Sequence, residues 1–173
     1  VVIPVTVRDS TGATSTQNLT ITVTGVNDGA VISGVSNGTI TADQGVNATH
    51  TLSCGGKLVV TDVDTGESTF AVQHGTGANG YGSFVLGPSG TWTYSADNTQ
   101  TAIQQLKAGD TLTDTFTVSS TDGTTHTVTV TIQGSNDAPV LAAETHAVTE
   151  DGTLLQGRMV ATDVDAGDST RGA

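Results

Sequence analysis

The chain has 173 residues and a formal net charge of −12, with 5 Lys and Arg against 17 Asp and Glu. So few bases exclude a nucleic-acid surface, which needs a basic stripe to displace counterions, and equally an anionic membrane surface. Aromatics at 3% and a single cysteine exclude an aromatic stacking platform and an internal disulfide.

Thr, Gly and Val supply 34, 22 and 21 residues. Thr and Val are β-branched and favour strands, and Gly punctuates turns, so long helices are excluded and an all-β protein is expected. No stretch approaches the roughly 20 apolar residues that span a bilayer, so no membrane insertion is expected. In chain order, a first short strand runs through Val5–Gly12 (VTVRDSTG) into an Asp-bearing turn. Leu19, Ile21 and Val23 then alternate with polar residues, a period of two that sets one face in a core and the other in water. Trp92 and Tyr94 share a face of a strand that follows the turn Gly87–Gly90 (GPSG). Asn98–Lys107 (NTQTAIQQLK) carries a helical signal: a polar start, Ile103 and Leu106 three apart, and Gly109 as a stop. It predicts one or two helical turns crossing between sheets. Leu112, Phe116 and Val118 face inward on the next strand, and Val128, Val130 and Ile132 on the one after.

The chain repeats itself. Thr22–Val31 (TVTGVNDGAV) recurs as Thr131–Val140 (TIQGSNDAPV), an offset of 109. Val60–Thr69 (VTDVDTGEST) recurs as Ala161–Thr170 (ATDVDAGDST), an offset of 101, with seven of ten positions identical. The unequal offsets place an insertion in the first copy, within Gly34–Gly56. Val5–Gly12 also echoes Phe116–Gly123 (FTVSSTDG). A tandem array is therefore expected, with 1–28 the tail of one repeat, 29–137 a complete repeat and 138–173 the head of a third. On that reading the chain is a piece of a longer array. Units of about 100 residues with turn signals every 8–12 fit a β-sandwich.

The acids concentrate in these repeated turns, 12 of the 17 falling there. Turns at the ends of successive sandwiches converge, and carboxylates converging without Lys or Arg repel one another. A hard divalent cation with oxygen ligands relieves this; calcium takes oxygens from flexible turns, whereas magnesium demands a tighter octahedron. In Asp62-Val63-Asp64-Thr65-Gly66-Glu67, alternate side chains project the same way, so Asp62 and Asp64 can grip one ion. Gly66 at the fifth position and Gln73 at the twelfth exclude an EF-hand. For any single Asp the competing reading is a solvated turn acid. A repeated Asp-x-Asp facing an Asn-Asp linker weakens that reading.

The remaining constellations are bland. His50, His74, His126 and His146 are scattered and read as exposed, and Cys54 reads as a lone thiol. Gly75–Gly82 (GTGANGYG) has no lysine and precedes no helix, so it reads as a flexible loop and not a phosphate cradle. Trp92, Tyr94 and Tyr81 are expected in a core in preference to a sugar-stacking surface. No catalytic arrangement is present, and no enzyme is expected.

Along 29–137 there follow in order Thr61–Ser68 (TDVDTGES), Tyr81–Phe84 (YGSF), Gly90–Tyr94 (GTWTY), Ala102–Gly109 (AIQQLKAG), Thr113–Val118 (TDTFTV) and Gly134–Pro139 (GSNDAP). As a set they resemble the VCBS repeats of large bacterial RTX and biofilm surface adhesins, which are cadherin-like sandwiches in tandem. The resemblance implies an Ig/cadherin-like β-sandwich and calcium at domain boundaries. It implies Asn27 and Asp28 as linker ligands of the first boundary, completed by Asp62, Asp64 and Asp122 of the following unit. At the second boundary it implies Asn136 and Asp137 with Asp163 and Asp165. Glu67 and Asp168 are weaker candidates, because their turn position can leave them in solvent. Glu150 in Val148–Gly152 (VTEDG) matches the acid such units direct at their next boundary. The complete repeat has Ala42 at that place, with only Asp43 beside it, so one ion per junction is expected.

The implied function is a non-enzymatic, calcium-stiffened extender of a secreted or surface-bound bacterial adhesin, serving attachment and biofilm formation. Its partners would be adjacent repeats of the same chain. Two alternatives stay open. One is a polysaccharide-binding module using the Trp92–Tyr94 strand or the loop Gly75–Gly82. The other is a self-assembling extracellular fibre subunit whose partial repeats are completed by neighbouring copies.

Overall fold

The computed structural model describes residues 1–152 and 159–167. Strands β1 (Val2–Arg8) and β2 (Thr14–Thr20) pair as an antiparallel hairpin, Val2 opposite Thr20 and Arg8 opposite Thr14. Asp9 closes its turn, one carboxylate oxygen accepting the Thr11 and Ala13 amides, each at 2.9 Å. The remaining strands are β3 (Val31–Gly34), β4 (Asn37–Thr41), β5 (Thr51–Thr61), β6 (Gln73–Thr76), β7 (Gly82–Leu86), β8 (Thr91–Asp97), β9 (Thr111–Ser119), β10 (Thr125–Gln133), β11 (Val140–Leu141) and β12 (Ala161–Thr162). A single turn of helix, α1 (Thr101–Gln104), lies between β8 and β9.

Two sheets enclose one core. The first has the order β3-β5-β8-β7-β6 and is antiparallel throughout. The second has the order β4-β10-β9, with β10 antiparallel to β9 and parallel to β4. Period-two alternation explains which side chains go inside. On the second sheet Phe116, Val118, Val128, Val130 and Ile132 are buried, while the threonines between them face outward or sit half-exposed. On the first sheet Leu52, Leu58, Phe84, Leu86, Trp92 and Tyr94 face them. Phe116 ties the layers together, stacking on Phe84 with ring centroids 4.1 Å apart and meeting Trp92 edge-on at 5.7 Å. Burying each such side chain contributes about 1.5–3 kcal/mol. The fold is the expected all-β sandwich, with Ile103 of α1 plugging one end of the core.

The helix is shorter than Asn98–Lys107. Asp97 accepts both the backbone N–H and the hydroxyl of Thr99 at 2.8 Å, and Asn98 is committed to Asp43. These side-chain bonds compete with helical geometry and delay the start to Thr101.

Three further expectations are corrected. Gly75–Gly82 is no flexible loop: its ends belong to β6 and β7, and Gly77 N–H donates to the Gly82 carbonyl at 2.8 Å. Its anchor is Asp114, 0% exposed, which accepts from the Asn79 amide at 2.9 Å, the Gly82 amide at 3.2 Å and the Tyr94 hydroxyl at 2.7 Å. Any Cβ at Gly77 would collide with that carboxylate. Leu19, Ile21 and Val23 are exposed, and the last two lie beyond β2. Their counterparts Val130 and Ile132 sit where β4 pairs with Thr129–Gln133. Among the described residues, nothing equivalent to β4 flanks Ile21 and Val23. His126, finally, is half-buried with Nε2 lacking a partner.

β11 and β12 repeat the register of β3 and β5. Val31 opposes Thr61 and Ile32 opposes Val60; at the repeat-equivalent positions, Val140 opposes Thr162 and Leu141 opposes Ala161.

Candidate metal centres

Strand register brings each Asn-Asp linker against an Asp-x-Asp turn. β3 begins just after Asp28, and β5 ends at Thr61, directly opposite Val31, so the turn that follows β5 folds over the linker. There the Asp28 backbone N–H donates to Asp64 Oδ2 at 2.7 Å, and the Asp64 N–H donates to Asp62 Oδ1 at 2.8 Å. Asn27 donates its side-chain amide to the Asp28 carbonyl at 3.0 Å. The same three bonds recur at the second linker. Asp137 N–H reaches Asp165 Oδ2 at 2.8 Å, Asp165 N–H reaches Asp163 Oδ1 at 2.9 Å, and the Asn136 amide reaches the Asp137 carbonyl at 2.7 Å. Asp168 lies outside the described residues.

In the first cluster Asp62, Asp64 and Glu67 each offer a carboxylate oxygen within 4.8 Å of the others, a group that can hold a metal ion. Asp62 Oδ2 and Glu67 Oε2 are buried and receive no hydrogen bond. Burial and the charges of Asp64, Asp62 and Asp122 push the Glu67 carboxyl above its ordinary value. Sequence reasoning ranked Glu67 low for its turn position. Gly66, with φ 92°, supplies the left-handed step in that turn, and the Thr69 N–H donates back to the Glu67 carbonyl at 2.8 Å. Glu67 thus returns toward Asp62 and Asp64.

Asp122 approaches from the β9–β10 turn in a different role. Its oxygens accept the Ala30 N–H at 2.9 Å, the Thr124 N–H at 3.0 Å, the Thr124 hydroxyl at 2.6 Å and the Ser120 hydroxyl. Led by the bond from Ala30, these donors hold its carboxyl well below the usual range. Asp122 is therefore a brace, ionised at neutral pH, between that turn and the linker. Asp28 stays exposed and lines, with Gly29, Val31, Thr61, Asp62 and Val63, an open groove of about 470 Å³.

In the second cluster Asp165 is 3% exposed. Its Oδ1 and the Oδ2 of Asp137 are buried without a donor. Burial raises the Asp137 carboxyl above its ordinary value, with the charges of Asp43, Asp165 and Asp163 adding to it. Asp43, which the sequence offered only as the acid beside Ala42, is one of these charges.

Neither cluster has a base beside it: among the described residues the one ion pair joins His146 to Glu144. The donors are carboxylate oxygens without Cys or His, the set that suits a hard cation such as calcium or magnesium rather than zinc. Orphaned buried oxygens on such a set fit a divalent ion. Cys54 offers no competing chemistry, since burial pushes its thiol up. Trp92 and Tyr94, at 1% and 0% exposed, present no face to a sugar.

A two-sheet sandwich with paired carboxylate turns at its ends is the cadherin-like class of β-sandwich, a non-catalytic kind of fold. The chain belongs to the bacterial cadherin-like domain family, whose model matches residues 27–134. No curated protein matches it. Among the described residues no helix is long and apolar enough to cross a membrane.

Proposed function

We propose that the chain is a calcium-stiffened extender of a VCBS-type bacterial adhesin, extracellular or on the cell surface, supporting attachment and biofilm formation. In this reading 1–28, 29–137 and 138–173 belong to successive units, and the two acidic clusters are their junctions. One observation carries it: at both linkers, buried carboxylate oxygens lack a donor within the same hydrogen-bonded frame, and at the first linker three carboxylates lie within 4.8 Å of one another.

Asp62, Asp64 and Glu67, with Asp28 and Asn27 of the linker and Asp122 behind, would hold one cation; Asp137, Asp163 and Asp165, with Asn136, would hold the other. The cation supplies the positive charge that these turns lack. The protein supplies the orientation. Asp64 and Asp165 each fix a linker amide, so the linker's direction is set by the turn it faces. Without positive charge the carboxylates repel, and bonds such as these, with Ala30 N–H to Asp122 at the first linker, oppose loosening. Titrating calcium while following thermal unfolding and radius of gyration tests the reading, and no change in either contradicts it. Asp163→Ala with Asp165→Ala abolishes the response of the second junction only.

One observation favours the fibre reading. The β1–β2 hairpin exposes Ile3, Val5, Val7 and Leu19, apolar residues that a neighbouring copy can cover. Sedimentation decides this; a monomer at all concentrations excludes it.

A further inference from the structure

Three Asn-x-Thr triplets occur in the chain: Asn18-Leu19-Thr20, Asn37-Gly38-Thr39 and Asn47-Ala48-Thr49. This spacing is the acceptor pattern for N-linked glycosylation, which uses a side-chain amide nitrogen with a hydroxyl two residues on. Hydrogen bonding separates these asparagines from the others. Of the seven asparagines, the four outside the pattern commit Nδ2 to a partner: Asn27 to the Asp28 carbonyl, Asn79 to the Thr113 carbonyl, Asn98 to Asp43 and Asn136 to the Asp137 carbonyl. Asn18, Asn37 and Asn47 are exposed, and none of them donates Nδ2 to a described residue.

The fold then divides the three. Asn18 lies within β2 opposite Pro4, and Asn37 opens β4 opposite Thr129. Extended backbone advances about 3.3 Å per residue, so the threonine two places on stands about 6–7 Å away. Pairing with the neighbouring strand holds it there. Asn47 stands instead in the connection between β4 and β5, within the stretch Gly34–Gly56 to which the unequal repeat offsets assign an insertion. Its Oδ1 accepts the Thr49 N–H at 2.9 Å, the Thr49 hydroxyl at 2.8 Å and the Thr51 N–H at 2.9 Å. These donors draw Oδ1 into the turn and leave Nδ2 on its outer side. The turn is braced at both ends, since Val46 packs against the core and the His50 carbonyl accepts the Asn98 N–H at 2.8 Å. Between the braces Asn47, Ala48 and Thr49 are all exposed. An enzyme can therefore reach amide and hydroxyl together without peeling a strand from its sheet.

We propose that Asn47 is a glycan-acceptor site, taking a sugar activated at its anomeric carbon by a phosphate leaving group. The bond formed joins Asn47 Nδ2 to the anomeric carbon. The bond broken is the one from that carbon to the phosphate oxygen, which departs with the electron pair. One Nδ2 hydrogen leaves as a proton to a base of the transferring enzyme, and the other stays on the glycosyl amide. Thr49 is a positioning residue: its hydroxyl orients the amide through Oδ1 and forms no bond to the sugar. The site lies outside the junction reading and does not depend on it.

The test offers the folded full chain to two asparagine-linked glycosyltransferases, one supplied with a nucleotide-activated hexose and the other with a polyprenyl-pyrophosphate oligosaccharide. Peptide mass spectrometry locates the added sugar, and the arm that loads Asn47 identifies the donor class. The sugar is expected on the peptide containing Asn47. Modification is lost in Asn47→Gln and in Thr49→Val, and is retained in Thr49→Ser, which keeps the hydroxyl. A folded chain that takes no sugar from either donor overturns the proposal. So does sugar placed on Asn18 or Asn37 in preference to Asn47, or undiminished modification of Thr49→Val.

Discussion

Tyr94→Phe probes how rigid the sandwich is. The Tyr94 hydroxyl donates to Asp114 Oδ2 at 2.7 Å, both residues being 0% exposed. Burial, with Asp114 adding to it, pushes the phenol far above its usual range, so it remains a donor at every accessible pH. The substitution removes this donor and leaves the carboxylate with the Asn79, Gly82 and Thr115 amides at 2.9, 3.2 and 3.0 Å. A buried hydrogen bond to a carboxylate contributes about 1.5–3 kcal/mol, and loss of one oxygen opens almost no cavity, so the cost is about 2 kcal/mol. For a sandwich of this size that lowers the unfolding midpoint by about 10 °C. Scanning calorimetry measures the midpoint, and amide exchange at Asn79 and Gly82 reports whether the β6–β7 hairpin loosens with it. A midpoint shift under about 2 °C, with exchange unchanged, refutes the view that Asp114 clamps this hairpin.

Gly77→Ala strikes the same clamp from the other side; its Cβ collides with the Asp114 carboxylate, and a cost of at least about 2 kcal/mol is expected in a denaturant titration. Asp122→Ala releases the Ala30 amide, so its exchange quickens in metal-stripped protein. The pH dependence has a definite sign. Glu67 and Asp137 have folded values above their unfolded ones, so they cost stability once ionised and cease to do so as pH falls through the folded values. Metal-stripped protein therefore gains stability on acidification from neutrality toward the upper edge of the carboxylate range. The trend reverses at lower pH as Asp122, held low in the folded state, is protonated. Saturating calcium flattens the first limb; a calorimetric pH series that is equally steep with and without calcium contradicts the assignment.

The repeats made the fold legible. Period-two alternation located Val128, Val130 and Ile132 in the core, and the recurring Asp-x-Asp motif located both acidic turns. Asp114 escaped notice because a charge on a threonine-rich strand reads as solvent-facing, although it is in phase with Leu112, Phe116 and Val118. Its partners lie on β7, β8 and the turn at Asn79, contacts that no local pattern encodes. Asp43 was visible only as the acid beside Ala42, while its hydrogen-bonded position depends on Asn98 and Gln104, more than fifty residues away in sequence. Leu19, Ile21 and Val23 show the opposite failure, since alternation states which face can be buried and not what arrives to bury it.

The central claim is that charge neutralisation at the linkers fixes how successive units meet. Small-angle scattering of the chain in chelator and then in excess calcium tests it most directly. The account predicts a calcium-dependent change in radius of gyration that saturates, reverses with chelator and is reduced by Asp163→Ala with Asp165→Ala. Identical scattering with and without calcium would contradict it.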